Sequence, residues 1–158
     1  MRPASPSRAH KDRQDGAALV EFAILAPLLI LLLMGIIEFG WTFGQFNQIR
    51  HAAQEGARWG AVSRPDVDAS GSADWDDLVT RSCGAANLPG GTTIDVSGSF
   101  LSTTRGGTGS VTVTANIQSL TGIPLISDLL PDTLTNTATF RLEQDAPWAT
   151  STPSTTCP

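Results

Sequence analysis

The sequence predicts an α+β protein in which a long N-terminal membrane-spanning α-helix is followed by a small β-rich extracytoplasmic head. The first observation is a run of sixteen uncharged residues from Phe22 to Ile37, which is typical of a segment that crosses a bilayer. The second is that three later stretches alternate apolar and polar residues with a period of two, as half-buried strands do. The length of 158 residues leaves room for one ordinary domain.

The span follows a basic leader, residues 1–16, which contains four basic residues, two aspartates and no large apolar residue after Met1. This composition predicts an unfolded segment. The apolar stretch extends back to Ala17, and a helix from Ala17 to Ile37 measures roughly 31 Å at about 1.5 Å per residue, against a hydrocarbon core of about 30 Å. Because the basic residues precede the span, we expect a cytoplasmic N-terminus and an external head. A cleaved secretory signal peptide is the alternative, but its apolar region is usually shorter, about 7–15 residues.

Beyond the span, the helical pattern persists, so that one transmembrane and assembly helix is predicted over residues 17–60. Apolar residues recur at helical spacing along one stripe: Phe39, Phe43, Phe46, Ile49, Ala53 and Ala57. Small residues recur every four positions: Gly40 and Gly44, then Ala52, Gly56 and Gly60, with Ala53, Ala57 and Ala61 beside them. Such rows let partner helices approach closely. The alternative is a merely flexible juxtamembrane helix.

The head is predicted over residues 61–143. Its three expected strands are Thr92–Phe100, Ser110–Ile117 and Thr137–Glu143, and the first two form a hairpin around Gly106 and Gly107. Short helices are expected at Trp75–Cys83, begun by Asp74, and at Leu125–Leu130. Residues 144–158 lack periodicity and are predicted to be a flexible tail.

The head offers little catalytic chemistry. It has no histidine and no lysine after His51, which leaves few groups able to act as a general base beside a nucleophile. The Gly-Gly pairs lack the Lys-Ser or Lys-Thr step of a phosphate loop, and the net charge of −5 argues against nucleic acid as a partner. We therefore predict no enzyme, no cofactor, no metal site and no small-molecule substrate. Cys83 and Cys157 are both expected outside the cytoplasm, where disulfides persist. The sequence allows either a disulfide between them or two free thiols.

An acid lies near the start of the apolar span, in Gly16-Ala17-Ala18-Leu19-Val20-Glu21-Phe22. A carboxylate inside a membrane is costly, although the cost falls near the interface. Cleavage after Gly16 would create an α-amino group on Ala17 that is mostly positive at neutral pH. This cation could pair with Glu21 of the same helix or of a neighbouring helix.

This segment resembles the processing site of type IV pilin-like precursors, and its Glu-Phe pair resembles the Flp/Tad branch. A second block is similar to the TadE-like family: Glu38-Phe39-Gly40 and Ala52-Ala53-Gln54-Glu55-Gly56-Ala57-Arg58. The head also resembles the TadE pattern of a strand, a proline-containing apolar loop and a closing strand that ends in Arg141-Leu142-Glu143.

The resemblance implies a minor pseudopilin that a prepilin peptidase cleaves and that takes part in assembling a Tad/Flp-type pilus at the cell envelope. Gly16, Ala17, Glu21 and Phe22 are then the processing and assembly residues. The implied partners are the bacterial cytoplasmic membrane, the peptidase and other pilin and pseudopilin subunits. Glu38 has two interpretations, an interfacial carboxylate or the partner of a basic group on another subunit.

Two other classes of function stay open at this point. One is an uncleaved single-pass membrane protein whose head binds an envelope or surface partner. The other is a small secreted enzyme, which would need release near Trp41 and a catalytic group that the head lacks.

Overall fold

The computed structural model describes residues 9–62, 73–145 and 154–157, and it confirms the predicted α+β class. Its elements in chain order are α1 (Ala9–Val62), α2 (Ala73–Ala85), β1 (Ile94–Phe100), β2 (Thr108–Asn116), α3 (Pro124–Ser127), β3 (Thr133–Arg141) and β4 (Ser154–Thr156).

Helix α1 is continuous over 54 residues and includes Pro27. No residue in its most apolar window is buried. Helix α1 is the one helix in the described part of the chain that is long and apolar enough to cross a membrane. The expectation of an unfolded leader is wrong for residues 9–16, which are helical. These residues include alanine, lysine, arginine and glutamine, which favour helix, and proline is absent from them. Residues 1–8 lie outside the described residues.

The four strands form an antiparallel sheet in the order β3-β2-β1-β4. The predicted hairpin is confirmed, with Val96 opposite Val113. Strand β3 begins at Thr133, four residues earlier than predicted, because Thr133 pairs with Asn116 at the end of β2. Gly106 has φ +85° in the turn that leads into β2, where the absence of a side chain removes the usual steric penalty.

The core lies between one face of the sheet and the two longer helices. Alternate residues of a strand point to opposite faces, so that Val96, Val111 and Val113 are fully buried. They pack with Ile49, Ala52 and Ala53 of α1 and Leu78 of α2. The opposite face carries threonine pairs, with Thr112 Oγ1 2.8 Å from Thr137 Oγ1 and Thr114 Oγ1 3.0 Å from Thr135 Oγ1.

Two short helices differ in their bounds from the predictions. Helix α2 extends two residues beyond each end of Trp75–Cys83, so Asp74 lies inside the helix rather than before it. Helix α3 has only four residues, with Pro124 at its first turn, where the missing N–H of proline costs nothing.

The expectation of a flexible tail is wrong at its C-terminal end. Strand β4 pairs with residues 95–97 of β1, and the adjacent Cys157 forms a disulfide with Cys83 of α2 across a Cα–Cα distance of 5.7 Å. Trp75 Nε1 also donates a hydrogen bond to Thr155 Oγ1 at 3.0 Å. The edge of β1 has unpaired backbone groups, and a three-residue strand can form hydrogen bonds with them. The sequence did not predict this strand because three residues are too few to show a period of two. Residues 146–153 of the predicted tail lie outside the described residues.

Candidate assembly interface

The residues of the predicted processing segment lie on the surface of α1. Gly16, Ala17 and Glu21 are exposed, and Phe22 is 65% exposed. A Cβ placed on Gly16 would meet no described atom within 4 Å. The fold therefore leaves this segment exposed, whereas the motif residues from Glu38 onward lie on the half of α1 that the head contacts.

In its second half, α1 has a head-facing side. Its buried residues recur every three or four positions, with two adjacent pairs among them: Glu38, Thr42, Gln45, Ile49, Ala52, Ala53, Gly56, Ala57 and Gly60. Phe39 and Phe43 lie outside this set and are 67% and 57% exposed. The predicted apolar stripe is therefore split between two sides of α1, because at 3.6 residues per turn position 49 lies about 80° around the helix from position 39. Glu55 is half-buried, and Arg58 is exposed.

The small residues of this helix serve the head of the same chain. A Cβ on Gly56 would collide with Ser82 Oγ and lie 3.1 Å from Val111 Cγ1, and one on Gly60 would lie 2.7 Å from Phe140 Cζ. Ala52 and Ala53 are fully buried in the core. The expectation that this row contacts partner helices is thus wrong from Ala52 to Gly60, since the sheet and α2 occupy that side.

Gly40 and Gly44 differ from the small residues nearer the head. A Cβ on either residue would meet no described atom within 4 Å. Both line a groove of about 400 Å³, together with Trp41 and the segment Asn87–Pro89. Contact of this pair with a partner helix stays a prediction.

Glu38 is fully buried and binds the connection between β2 and β3, residues 117–132, which we call the β2–β3 loop. Its Oε1 accepts a hydrogen bond from Leu120 N at 2.9 Å. Its Oε2 accepts bonds from Thr121 N at 2.9 Å and Thr121 Oγ1 at 2.8 Å. An ionised carboxylate accepts hydrogen bonds and donates none, so these donors match its chemistry. Glu38 therefore has its hydrogen-bond partners within its own chain, which neither interpretation of this residue from the sequence included.

Two further side chains of α1 bind the same loop. Gln45 Nε2 donates to Gln118 O at 2.9 Å, and Gln45 Oε1 accepts from Gln118 N at 3.1 Å. Trp41 Nε1 also donates to Gln118 O, at 2.9 Å. Glu38, Trp41 and Gln45 follow at i, i+3 and i+7, and this spacing of hydrogen-bonding side chains on one helix side is the signal that could have revealed the contact. All three bonds at Gln118 use its backbone, so its side chain is not what α1 recognises.

The end of α1 is also attached to the head. Ala61 O accepts a hydrogen bond from Glu143 N at 3.0 Å, which satisfies one of the carbonyls that a helix end leaves without an intrahelical partner. The Arg81 guanidinium carbon lies 3.9 Å from the centre of the Trp59 ring, within the range of a cation–π contact. Helix α1 is therefore hydrogen-bonded to the head from Glu38 to Ala61, whereas the large apolar side chains of its N-terminal half are exposed.

The described residues contain no group of three or more His, Cys, Asp or Glu side chains that could hold a metal ion. The chemistry that the structure does offer is packing and hydrogen bonding: an exposed apolar helix, two open glycines and a loop bound to a buried carboxylate. This arrangement is suited to interaction with membranes and with other helices.

Neither a curated protein nor a solved structure matches this chain. The family model described as TadE-like protein matches residues 16–58, which include the processing segment, the apolar span and the motif helix. The resemblance of the head to the TadE pattern stays a prediction, because the match ends before the head. The family is structural rather than catalytic and indicates membrane association, contact with pilus subunits and a part in Tad pilus assembly. Residues 16–58 therefore form a TadE-like segment, and the resemblance recognised in this part of the sequence is confirmed.

Proposed function

We propose that this chain is a minor pseudopilin that a prepilin peptidase cleaves after Gly16 and that then takes part in assembling a Tad/Flp-type pilus. The observation that carries the proposal is the position of the family match. The match begins at Gly16, the residue that precedes the expected cut, and it continues through the apolar helix. In this proposal the N-terminus is cytoplasmic and the head lies outside the inner membrane.

Cleavage would place a positive amino group close to Glu21. Ala17 and Glu21 lie four residues apart on α1, and residues at this spacing are neighbours on a helix surface. The new cation thus offsets part of the cost of a carboxylate within the apolar segment. In an assembled pilus, Glu21 of one subunit would align the amino terminus of a neighbouring subunit.

The exposed N-terminal half of α1 accounts both for insertion into the membrane before assembly and for packing in the pilus. Large apolar side chains from Leu19 to Ile37 are exposed, among them Leu19 at 69%, Ile24 at 71% and Leu28 at 66%. Such a surface is stable when lipid or other apolar helices cover it. Before assembly lipid covers this half of α1, and in the pilus the helices of neighbouring subunits replace the lipid.

The first test is the mass and N-terminal sequence of the protein purified from membranes. We expect a chain that begins at Ala17. A mature chain that retains residues 1–16 would contradict cleavage and favour the uncleaved single-pass alternative, and a fragment beginning near Trp41 in the culture supernatant would favour the secreted one.

The second test separates membrane insertion from assembly. We expect Glu21→Gln to reach the membrane at the level of the unmodified protein but to be depleted from sheared pili, because glutamine cannot supply the negative charge. Asp76→Asn is the control, because it removes one carboxylate charge from an exposed side chain of α2, outside the TadE-like segment. Equal incorporation of both variants would remove the proposed role of Glu21.

A further inference from the structure

The β2–β3 loop extends beside the membrane-spanning part of α1. Ile123 and Ile126 of this loop line a groove together with Pro27, Ile30, Leu31 and Met34 of α1. Pro27 is the midpoint of the span from Ala17 to Ile37, and Ile30 lies about 10 Å below Ile37 at about 1.5 Å per residue. The loop therefore reaches past Ile37, the end of the apolar run, toward the middle of the span.

The helix cannot easily move outward to lift this loop clear of the bilayer. The span measures roughly 31 Å, against a hydrocarbon core of about 30 Å, and charged residues precede Gly16 in the sequence. An outward shift would draw those charges into hydrocarbon, or, after cleavage, the amino group of Ala17 and the carboxylate of Glu21. Each charge costs about 2.5–3.5 kcal/mol at the bilayer centre. Ile123 and Ile126 thus lie at the same depth in the bilayer as the C-terminal half of the span.

The surface of the loop is suited to that depth. Ile126 is 9% exposed, whereas Leu120 and Leu129 are 52% and 82% exposed. These two leucines give the loop an exposed apolar surface, as Leu31 and Leu33, which are 47% and 50% exposed, do for α1. A bilayer that covers the helix therefore also covers the apolar residues of the loop beside it.

Several backbone N–H groups of the loop have hydrogen-bond partners within the protein, and hydrocarbon requires such partners because a backbone N–H without one is costly there. Leu120 and Thr121 donate to Glu38, and Gly122 N donates to Ser119 Oγ at 3.0 Å. Three more bonds lie within the α3 region: Ile126 N to Ile123 O at 3.0 Å, Asp128 N to Pro124 O at 3.0 Å and Leu129 N to Ile126 O at 3.1 Å. Glu38 thus satisfies donors that would otherwise need water.

From this arrangement we propose that the β2–β3 loop is a second membrane-contacting element, seated in the leaflet on the head side with Leu120 and Leu129 against lipid acyl chains. Asp128 and Asp132 are exposed, and the cost of a charge in hydrocarbon limits how deep the loop can lie. The proposal requires that α1 crosses a membrane, but it requires neither cleavage nor a pilus.

The test uses the full-length protein in phosphatidylcholine and phosphatidylglycerol vesicles, with the native disulfide kept oxidised. Three variants, each with one added cysteine, carry an environment-sensitive NBD fluorophore on that cysteine: Leu129→Cys in the loop, Leu25→Cys in the span and Thr139→Cys on β3. Leu129 and Thr139 are both exposed, so labelling leaves the core intact. We expect lipids with a nitroxide on the acyl chain to quench the labels at positions 129 and 25 but not the label at position 139.

Each other outcome has a separate meaning. If the label at position 25 is quenched and the one at position 129 is not, the loop proposal is overturned while the membrane span stands. If neither is quenched, the span itself is wrong and the loop proposal falls with it. A label at position 129 that emits as in an apolar environment without quenching would indicate a protein neighbour, and this would also overturn the lipid contact.

Discussion

Replacing Glu38 with glutamine tests whether its carboxylate holds the β2–β3 loop against α1. The carboxylate accepts hydrogen bonds from Leu120 N, Thr121 N and Thr121 Oγ1. Glutamine has nearly the same shape but only one acceptor oxygen, and its amide nitrogen donates. In either orientation of the amide, at least one backbone N–H of the loop would face another donor.

The expected loss follows from those bonds. A hydrogen bond to a charged group contributes about 1.5–3 kcal/mol, and a buried donor left without an acceptor costs about 1–3 kcal/mol. Glutamine also removes the cost of burying an ion, which offsets part of the loss. We therefore expect Glu38→Gln to lower the free energy of opening the loop by about 2 kcal/mol, which corresponds to roughly a 30-fold faster amide exchange at about 1.4 kcal/mol per tenfold.

Hydrogen exchange of the protein in detergent micelles measures this effect residue by residue. Protection should fall at the amides of Leu120 and Thr121 and stay unchanged at Val113 in the middle of the sheet. Glu55→Gln, which makes the same chemical change on the same helix, should leave Leu120 and Thr121 protected. If these two amides keep their protection in Glu38→Gln, the carboxylate does not hold the loop and the argument from the hydrogen bonds is refuted.

Four other substitutions test the packing of the head and of α1 through the free energy of unfolding in denaturant. Gly60→Ala should destabilise it, because a Cβ would lie 2.7 Å from Phe140 Cζ and overpacking costs about 1–3 kcal/mol, whereas Gly44→Ala should stabilise α1 by up to about 1 kcal/mol; changes of the same sign would contradict this. Cys157→Ser should cost roughly 4 kcal/mol, because the disulfide closes a loop with a sequence separation of 74, and unchanged resistance of the C-terminus to protease would argue against that bond. Ser82→Ala should leave the protein as stable or more stable by about 1 kcal/mol, since Ser82 Oγ is buried without a partner in the described part of the chain; a clear loss of stability would reveal a missing hydrogen bond.

Much of the architecture could be predicted because its signals are local. The apolar run from Phe22 to Ile37 specifies a spanning helix through composition alone. The alternation along β1 and β2 specifies two half-buried strands, and their closeness in sequence favours a hairpin. The TadE-like segment was recognised for the same reason, since its motifs are short blocks on one helix.

The functions of individual side chains on that helix depended on distant parts of the chain. Glu38 bonds to Thr121 across a sequence separation of 83, and Gln45 bonds to Gln118 across 73. Gly60 is small because Phe140 packs against it. Helical spacing shows that such residues share a side of α1, but it does not show whether that side meets lipid, another subunit or the chain's own head.

Composition and periodicity thus determined, from the sequence by itself, that an apolar helix precedes a β-rich head, because both signals involve neighbouring residues. Only the tertiary structure decided that the small residues near the head pack against its own sheet, that the C-terminal residues add a fourth strand and that a buried carboxylate binds the β2–β3 loop. The physical reason is that these contacts join residues far apart in the chain. Which residues meet depends on how the sheet packs on α1, and no local sequence pattern predicts that packing.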